Sequence, residues 1–326
     1  MVAKGKAKKV SRVTKTSRGF SIRTYETPPT DFNPLKATPR QLLRHGFPTR
    51  PDAKEAPELR KVWDREMSRP RQWITPEFKE MKDRSHGPAL KPGSGKRARV
   101  RASLNVANAT SSNWSGSVAG PPANRTFGWI EGQWTVPNPH APATGSYFAS
   151  EWVGIDGWGS GDVLQAGTET EIVDIGFFKV SQVYPWWEWF PSGEVAITNL
   201  PVSAGDVMYC LICVNSGTTA TVYLTNQSSL VTTTFSITAP KGTTLVGNSA
   251  EWVVERPTIN GSLPNLTDYK AVYFDEGVAG LSGAPFTIVQ LSAGTPITMK
   301  GNNNASLSSP TFETSQLMKV DWLKSS

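Results

Sequence analysis

The stretch Tyr184-Pro185-Trp186-Trp187-Glu188-Trp189-Phe190 has the aromatic composition of a β-strand. Because side chains alternate between the two faces of a strand, Trp186, Glu188 and Phe190 should share one face, with the remaining tryptophans on the other. One face is expected to pack in a core. The other should frame a carboxylate with aromatic rings. Burying Glu188 in this way is costly without partners, which marks it as a candidate functional residue.

Short runs of similar composition continue from residue 102 to residue 326, separated by Gly, Asn, Ser and Pro. So many short strands joined by turn residues predict an all-β fold, a single β-sandwich, rather than alternating β and α units. The candidate strands are 113–118, 127–135, 147–154, 162–166, 171–177, 182–190, 207–214, 219–225, 231–237, 251–255, 269–274, 286–291, 297–300 and 316–323.

The charge of the chain is unevenly distributed. The 326 residues include 34 Lys and Arg and 27 Asp and Glu, for a net charge of +7. Residues 1–101 hold 26 basic and 10 acidic side chains, a balance of +16, whereas residues 102–326 hold 8 and 17, a balance of −9. Because the larger part is acidic, we expect no nucleic-acid partner. No run of about 18 apolar residues predicts a membrane span, and we find no recognisable signal peptide.

Residues 1–101 are predicted to form a basic N-terminal segment, partly helical or disordered, ahead of a domain at residues 102–326. Residues 1–19 are expected to be disordered because they are rich in Lys, Arg, Ser and Thr. Residues 86–101 are predicted to be a linker, in which Lys96–Arg101 suits either a processing protease or a solvated tether. Three short helices are expected. The first follows Thr38-Pro39, the second carries Leu59, Val62, Trp63 and Met67 on one face, and the third follows Thr75-Pro76-Glu77.

Cysteine and histidine usage excludes several kinds of site. Cys210 and Cys213 lie three residues apart in a predicted strand, so they should point to opposite faces and remain buried thiols rather than a disulfide or a metal site. His140 is the only histidine of residues 102–326 and lies in a Pro-rich loop. We therefore expect neither a Ser–His–Asp triad nor a metal site in this domain.

Two further polar residues stand in apolar strands. Gln165 lies in Val163-Leu164-Gln165-Ala166-Gly167, and Glu251 lies in Asn248-Ser249-Ala250-Glu251-Trp252-Val253-Val254-Glu255. Taken singly, Gln165 is more often a hydrogen-bonded structural residue, and Glu251 is typical of a strand surface.

Together these motifs resemble those of the glutamic peptidases, the eqolisin family, and bacterial members in particular. The resemblance covers about residues 111–290. It implies a sandwich of two large, curved antiparallel sheets, similar to the legume-lectin or jelly-roll architecture. The motifs are, in order, Asn113-Trp114-Ser115-Gly116, Trp152-Val153-Gly154-Ile155-Asp156-Gly157, Leu164-Gln165-Ala166-Gly167, Trp187-Glu188-Trp189-Phe190-Pro191 and Ala250-Glu251-Trp252-Val253-Val254-Glu255.

The resemblance also implies an activity and its residues. Gln165 and Glu251 correspond to the family's catalytic pair in an endopeptidase that acts on polypeptides in acid and is not blocked by pepstatin. The residues that match the family's cleft are Trp152, Asp156, Trp186, Glu188 and Phe190. The implied enzyme is a monomer without cofactor, metal or membrane partner. It is implied to be extracellular, although without a recognisable signal peptide a cytoplasmic location stays open.

Two features depart from the family pattern, and one extends it. Phe190 stands where fungal members often have Tyr, so any hydrogen bond from that hydroxyl is absent. Many members have disulfides, which are not expected here. By position, residues 1–101 resemble a propeptide. Their positive balance faces an acidic domain, so charge attraction predicts that they cover the cleft at neutral pH. That attraction should weaken at high salt and in acid.

The implied mechanism needs only water and the two side chains. Ionised Glu251 would act as general base and return the proton to the leaving amine. Gln165 would donate an amide N–H to the oxyanion, an interaction worth about 2.7–4 kcal/mol in other hydrolases. The alternative is a lectin-like carbohydrate-binding module or a glycoside hydrolase with Glu188 and Glu251 as its carboxyl pair. Gln165 discriminates between the two, because a glycosidase gives it no required role.

Overall fold

The structure is a computed structural model that describes residues 11–93, residue 99 and residues 107–326. Within residues 11–93 the elements are β1 (Ser11–Lys15), β2 (Ser21–Tyr25), α1 (Pro39–Arg44), α2 (Pro57–Ser68), β3 (Gln72–Trp73), β4 (Phe78–Glu80) and β5 (Arg84–Ser85). None of the helices described is long and apolar enough to span a membrane.

The remaining elements are almost all strands. They are β6 (Ala109–Ser111), β7 (Trp114–Ala119), β8 (Phe127–Thr135), β9 (Tyr147–Ile155), β10 (Leu164–Asp174), β11 (Lys179–Trp189), β12 (Val195–Ile197), β13 (Val207–Ser216), β14 (Thr219–Asn226), β15 (Val231–Thr238), β16 (Ala250–Glu255), β17 (Thr258–Ile259), β18 (Asn265–Leu266), β19 (Ala271–Leu281), β20 (Ile288–Gln290), a 3₁₀ turn (Leu291–Ala293), β21 (Thr295–Lys300), β22 (Ser306–Phe312) and β23 (Met318–Trp322).

Apart from β5 and β17, which pair only with each other, the strands form one continuous, mainly antiparallel ribbon that folds into a sandwich. The first layer runs β12, β11, β10, β9, β16, β7 and β21, and the second runs β19, β8, β13, β14, β15 and β2. β22 and β23 join the two layers. The predicted all-β sandwich of antiparallel sheets is therefore confirmed. β22 was not predicted, since its run is polar and contains Pro310, a residue that disfavours central strands.

Alternation along the strands gives the first layer two apolar faces. Trp187, Trp189 and Trp252 point into the core between the layers, whereas Trp152 and Trp186 belong to a separate cluster on the outer face. The predicted division of the aromatic strand is confirmed. The two thiols are free and pack against different clusters, as predicted, but only Cys210 is buried, whereas Cys213 is half-buried.

β10 replaces two shorter predicted strands, 162–166 and 171–177. The glycine between them, Gly167, is not a turn residue but lies within the strand opposite Trp152. A Cβ added at Gly167 would overlap the Glu151 carbonyl oxygen and the Trp152 side chain. Glycine is thus required for close approach of neighbouring strands, and the strand runs unbroken.

The N-terminal residues are built onto both layers. β1 pairs with β2, so the expected disorder is wrong for residues 11–19. β2 and β3 pair with β15, and β4 pairs with β12. The predicted helix after Thr75-Pro76-Glu77 is wrong, because this stretch leads into β4. The other two helices are confirmed as α1 and α2, which pack with the outer face of the second layer.

The predicted linker is ordered at its beginning. Residues 86–93 contact the first layer, as described below. Residues 94–106 lie outside the described residues apart from Arg99, and they include most of the run Lys96–Arg101. The division at residue 101 therefore stays a prediction.

A buried ion pair fastens α2 to the second layer. Both Glu131 carboxylate oxygens on β8 accept from Arg65 Nη2 at 3.0 Å, and one also accepts from Tyr209 Oη at 2.7 Å. Burial raises the pKa of Glu131 to about 8, and the Arg65 charge opposes the rise. Glu131 therefore depends on a cation supplied by the N-terminal segment.

We predict that Arg65→Ala lowers the free energy of unfolding by about 2–3 kcal/mol, because it leaves the buried Glu131 without its cation. The matched control on the same helix is Arg60→Ala, since Arg60 pairs with the half-exposed Asp64. It should cost only about 0.5 kcal/mol. Urea unfolding at pH 7.5 measures both, and equal losses would contradict the proposed anchoring.

Candidate active site

Gln165 and Glu251 lie on one row across the first layer. Gly154 on β9 pairs with Gln165 on β10 on one side and with Glu251 on β16 on the other. Paired residues point to the same face of a sheet, so both side chains project from the outer face. Glu188 on β11 pairs with Gln165 and extends the row. We call Glu188, Gln165, Gly154 and Glu251 the catalytic row, after the catalytic role predicted for Gln165 and Glu251.

The residue between the two predicted catalytic side chains is a glycine, because a larger residue would collide with its neighbours. A Cβ at Gly154 would lie 2.9 Å from the Trp152 ring and 3.1 Å from Gln165 Cβ. Two strand spacings separate the backbones of Gln165 and Glu251, about 9–10 Å. Their side chains can thus converge over Gly154 on a small group held between them.

Glu251 is fully buried, and neither of its carboxylate oxygens has a hydrogen-bond partner among the described residues. Burial raises its pKa well above the usual range. The nearby Ser249 hydroxyl opposes the rise, although its own hydrogen bond goes to Asn248 Oδ1, and the Asp156 charge adds to it. Burial therefore favours the neutral form of Glu251.

Asp156 positions the loop that leads to Glu251. It has a φ of 71°, a conformation that Asp tolerates better than most residues. Its carboxylate accepts from the backbone N–H groups of Val246, Gly247 and Asn248 at 2.7–3.1 Å. Both oxygens are therefore engaged by the chain itself, and Asp156 acts through the loop before β16.

The segment Arg84–Leu90, which we call the cover, lies on the catalytic row. Gln165 Nε2 donates to the His86 carbonyl oxygen at 2.5 Å, and the His86 N–H donates to Glu188 Oε2 at 2.7 Å. The Ser85 hydroxyl donates to the other Glu188 oxygen at 3.0 Å. Peptide groups of the cover thus occupy the donors and acceptors that would face a polypeptide substrate.

Two of the predicted cleft aromatics contact the cover directly. The Trp186 ring stacks on the His86 imidazole, with centroids 3.7 Å apart and planes 8° apart. A Cβ added at Gly87 would lie 3.3 Å from the Phe190 ring. Trp152 lies beneath, with its indole N–H donating to Glu255 at 2.9 Å and its ring edge-on to Trp114.

Carboxylates surround the His86 ring on both sides. Nε2 lies 3.0 Å from Glu194 and 3.8 Å from Glu169, while Nδ1 lies 3.5 Å from Glu255. Burial opposes the charged imidazolium, but the hydrogen bonds and charges of Glu194 and Glu255 raise the pKa of His86 well above its usual range. We call Glu169, Glu194 and Glu255 the acidic pocket.

The acidic pocket also satisfies the distance requirement for metal ligands. Ligand atoms of His86, Glu169 and Glu194 lie within 4.8 Å of one another. Both ring nitrogens face carboxylates, which favours the imidazolium, and that form cannot bind a metal. We therefore interpret the cluster as an ion-pair network.

A second cation of the cover lies two residues away. The Arg84 guanidinium pairs with Glu171 at 2.5 Å and donates to the Tyr184 hydroxyl. Because Arg84 and His86 are two residues apart in an extended segment, both point to the same side, towards the sheet.

Sequence analysis identified the catalytic row and its aromatic neighbours but not the acidic pocket. Glu169 and Glu255 each lie four residues after a predicted catalytic residue, so strand alternation could have found them. Glu194 follows a turn, and His86 was assigned to a linker. No local pattern connects either residue with the site.

The order of residues in the catalytic row can be compared with the alternative of a glycoside hydrolase that uses Glu188 and Glu251. Glu188 and Glu251 are three strand spacings apart, about 14 Å between backbones, with Gln165 between them. The polar side chain nearest to Glu251 along the row is therefore the Gln165 amide rather than the Glu188 carboxyl group.

Comparison with known proteins shows the family and the fold. Residues 112–322 match the model of the peptidase A4 family. The chain is 25% identical over 220 residues to aspergillopepsin-2 of Aspergillus niger, which covers 62% of this chain and 75% of that protein. The fold of this chain is similar to that of scytalido-glutamic peptidase, whose structure was solved with a peptide-based transition-state analogue. The TM-score is 0.54 at 18% identity, over 68% of this chain and 100% of that one.

We predict that Gly154→Ala reduces proteolysis of an unfolded protein by more than its loss of stability explains, because the new Cβ displaces Gln165. The matched control is Gly132→Ala on β8, whose Cβ would be equally crowded, 2.9 Å from the Trp252 ring. Rates and melting temperatures of both variants are compared. Equal rates at equal destabilisation would contradict the role of Gly154.

Proposed function

The chain belongs to the peptidase A4 family and hydrolyses polypeptides as a glutamic-type endopeptidase, and on that premise we propose that Gln165 and Glu251 are its catalytic pair. The observation that carries the proposal is the hydrogen bond from Gln165 Nε2 to a peptide carbonyl, on the same row as the unpartnered Glu251. The family match does not favour a lectin or a glycoside hydrolase.

In the proposed mechanism, Glu251 ionises when the cover leaves and water enters, because exposure removes the burial that raises its pKa. The carboxylate then takes a proton from water, which attacks the peptide carbonyl between Glu251 and Gln165. The Gln165 amide stabilises the oxyanion, and Glu251 returns the proton to the leaving nitrogen. Glu188 is proposed to hold the substrate backbone N–H as it holds that of His86.

Glu251→Gln is expected to lower kcat by about 10²–10⁴-fold, since the amide cannot act as a base. Gln165→Ala should lower kcat by about 10²–10³-fold with less effect on KM, because one oxyanion donor is lost. The kcat values of both variants are measured with an unfolded protein as the substrate, and pepstatin is added to inhibit contaminating aspartic peptidases.

The matched control is Glu151→Gln. Glu151 is also fully buried, and burial raises its pKa to about 8, but it accepts from Thr168 and Thr170 on the opposite face of the same layer. The rate of proteolysis by the Glu151→Gln variant should stay close to that of the wild type. If Glu251→Gln kept a substantial part of the turnover, the assignment of the base would be wrong.

We further propose that residues 1–101 are a propeptide-like segment that keeps the enzyme latent through the cover. The support is direct contact: Ser85 and His86 occupy both Gln165 and Glu188. Arg84 and His86 add ion pairs with Glu171 and the acidic pocket. The cover also shields Glu251 from the water it needs.

The double variant Arg84→Ala/His86→Ala should raise the initial rate on a short peptide by on the order of ten-fold or more, because the cover loses both of its cations. Arg40→Ala, an exposed cation on α1, is the control and should leave the rate unchanged. Mass spectrometry confirms that each chain is intact during the measurement. A double variant no faster than wild type would argue against latency.

The pH dependence of covering follows from the charge balance beneath the cover. Two cations of the cover, Arg84 and His86, lie near five carboxyl groups, those of Glu169, Glu171, Glu188, Glu194 and Glu255, and the sixth carboxyl group on this face, Glu251, has no cation partner among the described residues. Burial raises the pKa of Glu188 from 4.5 to about 7. A carboxyl whose pKa is raised on covering takes up a proton, so falling pH stabilises the covered state.

We therefore predict that the rate of intact wild type, relative to the double variant, falls between pH 7.5 and pH 5. The window lies between the ordinary pKa of a glutamate and the value of about 7 for Glu188. This direction is opposite to that expected from charge attraction alone, which predicts that acid weakens the contact between the cover and the cleft. A ratio that approaches one at pH 5 would favour the attraction model over proton uptake.

Working conditions and quaternary state are also proposals. We propose that the enzyme acts in acid, as a monomer, outside the cell. Sedimentation equilibrium tests the monomer, and assay of culture medium against cell lysate tests the location.

A further inference from the structure

A hydrophobic cluster lies at the turn between β10 and β11, at the far end of these strands from the catalytic row. The turn exposes four neighbouring apolar side chains, those of Ile175, Phe177, Phe178 and Val180. Among the described residues eleven large apolar side chains are exposed, and four of them are gathered in these six positions. Clustered apolar side chains at the surface indicate an interaction site, whereas scattered ones do not. We call residues 175–180 the tip.

The tip projects beyond the neighbouring strand. β9 pairs with β10 only as far as Ile172, so the residues that follow pair with β11 alone. Val173 pairs with Val180, and the Ile175 N–H donates to the Phe178 carbonyl oxygen at 3.1 Å. The end of the hairpin is therefore a closed turn that is surrounded by solvent.

Charged residues at the base of the tip hold the hairpin in place. The Asp174 carboxylate accepts from the backbone N–H groups of Gly145 and Gly176 at 2.9 and 3.0 Å. The Lys179 ammonium donates to the Ala143 carbonyl oxygen. Both charged groups thus bind backbone groups, and the contacts to Ala143 and Gly145 fix the hairpin to the loop before β9. A site that is fixed in this way has less freedom to lose when a partner binds.

The outer face of the first layer connects the tip with the catalytic row. Every second residue of β10 from Gln165 to Val173 lies on this face, and on β11 the same face runs from Glu188 to Val180. Ten residues separate Gln165 from Ile175, which is about 30 Å of extended strand. A polypeptide that lies along this face can therefore contact the tip and the catalytic row at the same time.

The cover indicates the direction of such a polypeptide. Arg84 pairs with Glu171, which lies six residues from Gln165 towards the tip, and the His86 carbonyl oxygen accepts from Gln165 itself. From its amino to its carboxyl end, the cover thus runs from the side of the tip to the catalytic row. Before Arg84 the chain turns aside to β4, which pairs with β12 beside the catalytic end of β11. The tip is therefore exposed even while the cover lies on the cleft.

We propose that the tip is an exosite for unfolded polypeptides. Its side chains pack against apolar side chains of the substrate, about ten residues to the amino side of the bond held in the cleft. Aromatic rings suit a partner without a fixed sequence, because they bury a large apolar area at a small cost in side-chain entropy. This inference rests on the proposed function, since the catalytic row defines where the cleaved bond lies.

The test uses the full chain carrying Arg84→Ala/His86→Ala, so that the cleft is accessible. A peptide of about six residues, roughly 20 Å long when extended and too short to reach the tip, is copied from a cut site in an unfolded protein. It is extended at its amino end by about seven Gly and Ser residues, preceded by Phe-Phe or by Ser-Ser. We expect Phe-Phe to lower KM by about five- to ten-fold relative to Ser-Ser with kcat unchanged, because the rings are buried on the tip.

Variants of the tip show where the extension binds. In the same background, Phe177→Ser/Phe178→Ser should remove the advantage of the Phe-Phe extension. The matched control is Tyr273→Ser/Leu323→Ser, which removes two exposed apolar side chains outside the tip and should keep that advantage. Because all four side chains are exposed, the melting temperatures should stay close to that of the parent chain.

The outcomes distinguish this inference from the function on which it rests. Equal KM values for the two extensions, or an advantage that persists in the tip variant, would overturn the exosite while the peptidase stands. Binding of the tip to phosphatidylcholine vesicles, or association of two chains through it, with no advantage for Phe-Phe, would assign the tip to those partners and overturn the exosite as well. Failure to cleave an unfolded protein would overturn the proposed function and this inference with it.

Discussion

Strand register is the constraint on which the site depends. Gly154 must pair with Gln165 and Glu251 at the same time, since only then do the amide and the carboxyl project from one face over a residue without a side chain. A slip of one residue on either side would turn one of the two side chains into the sandwich core. Tryptophans that fill the core on the opposite face, among them Trp187 and Trp252, make such a slip costly, so the hydrophobic core fixes the catalytic geometry.

The composition of residues 102–326 and the alternation of its strands were enough to predict the sandwich and the division of the aromatic strand, whereas Gln165 and Glu251 were predicted as a catalytic pair only from the resemblance to the glutamic peptidases. Contacts between distant segments were not predictable in this way. His86 reaches the site because Arg84 and Ser85 add a short strand to β17, a pairing that no local pattern indicates. The break predicted between strands 162–166 and 171–177 is absent, because close packing against Trp152 requires Gly167 within β10.

The N-terminal residues hold the domain at two separate places. On the second layer, α2 supplies Arg65 to a buried carboxylate of β8. On the first layer, the cover supplies Arg84 and His86 to the carboxyl groups of the cleft. Hydrophobic contacts of the helices lie on the second layer, whereas the cover is held mainly by charged groups and peptide hydrogen bonds. Loss of the cover therefore need not remove the contacts that stabilise the opposite layer.

One feature of the cleft links latency with catalysis. A carboxylate that acts as a base must be ionised, and ionisation of Glu251 requires water, since no cation among the described residues contacts it. The cover excludes that water, and its two cations lie over other carboxylates, not over Glu251. In the proposed mechanism the same segment would therefore cover the site without activating the proposed base. Burial raises the pKa of Glu251 and so favours its neutral form beneath the cover.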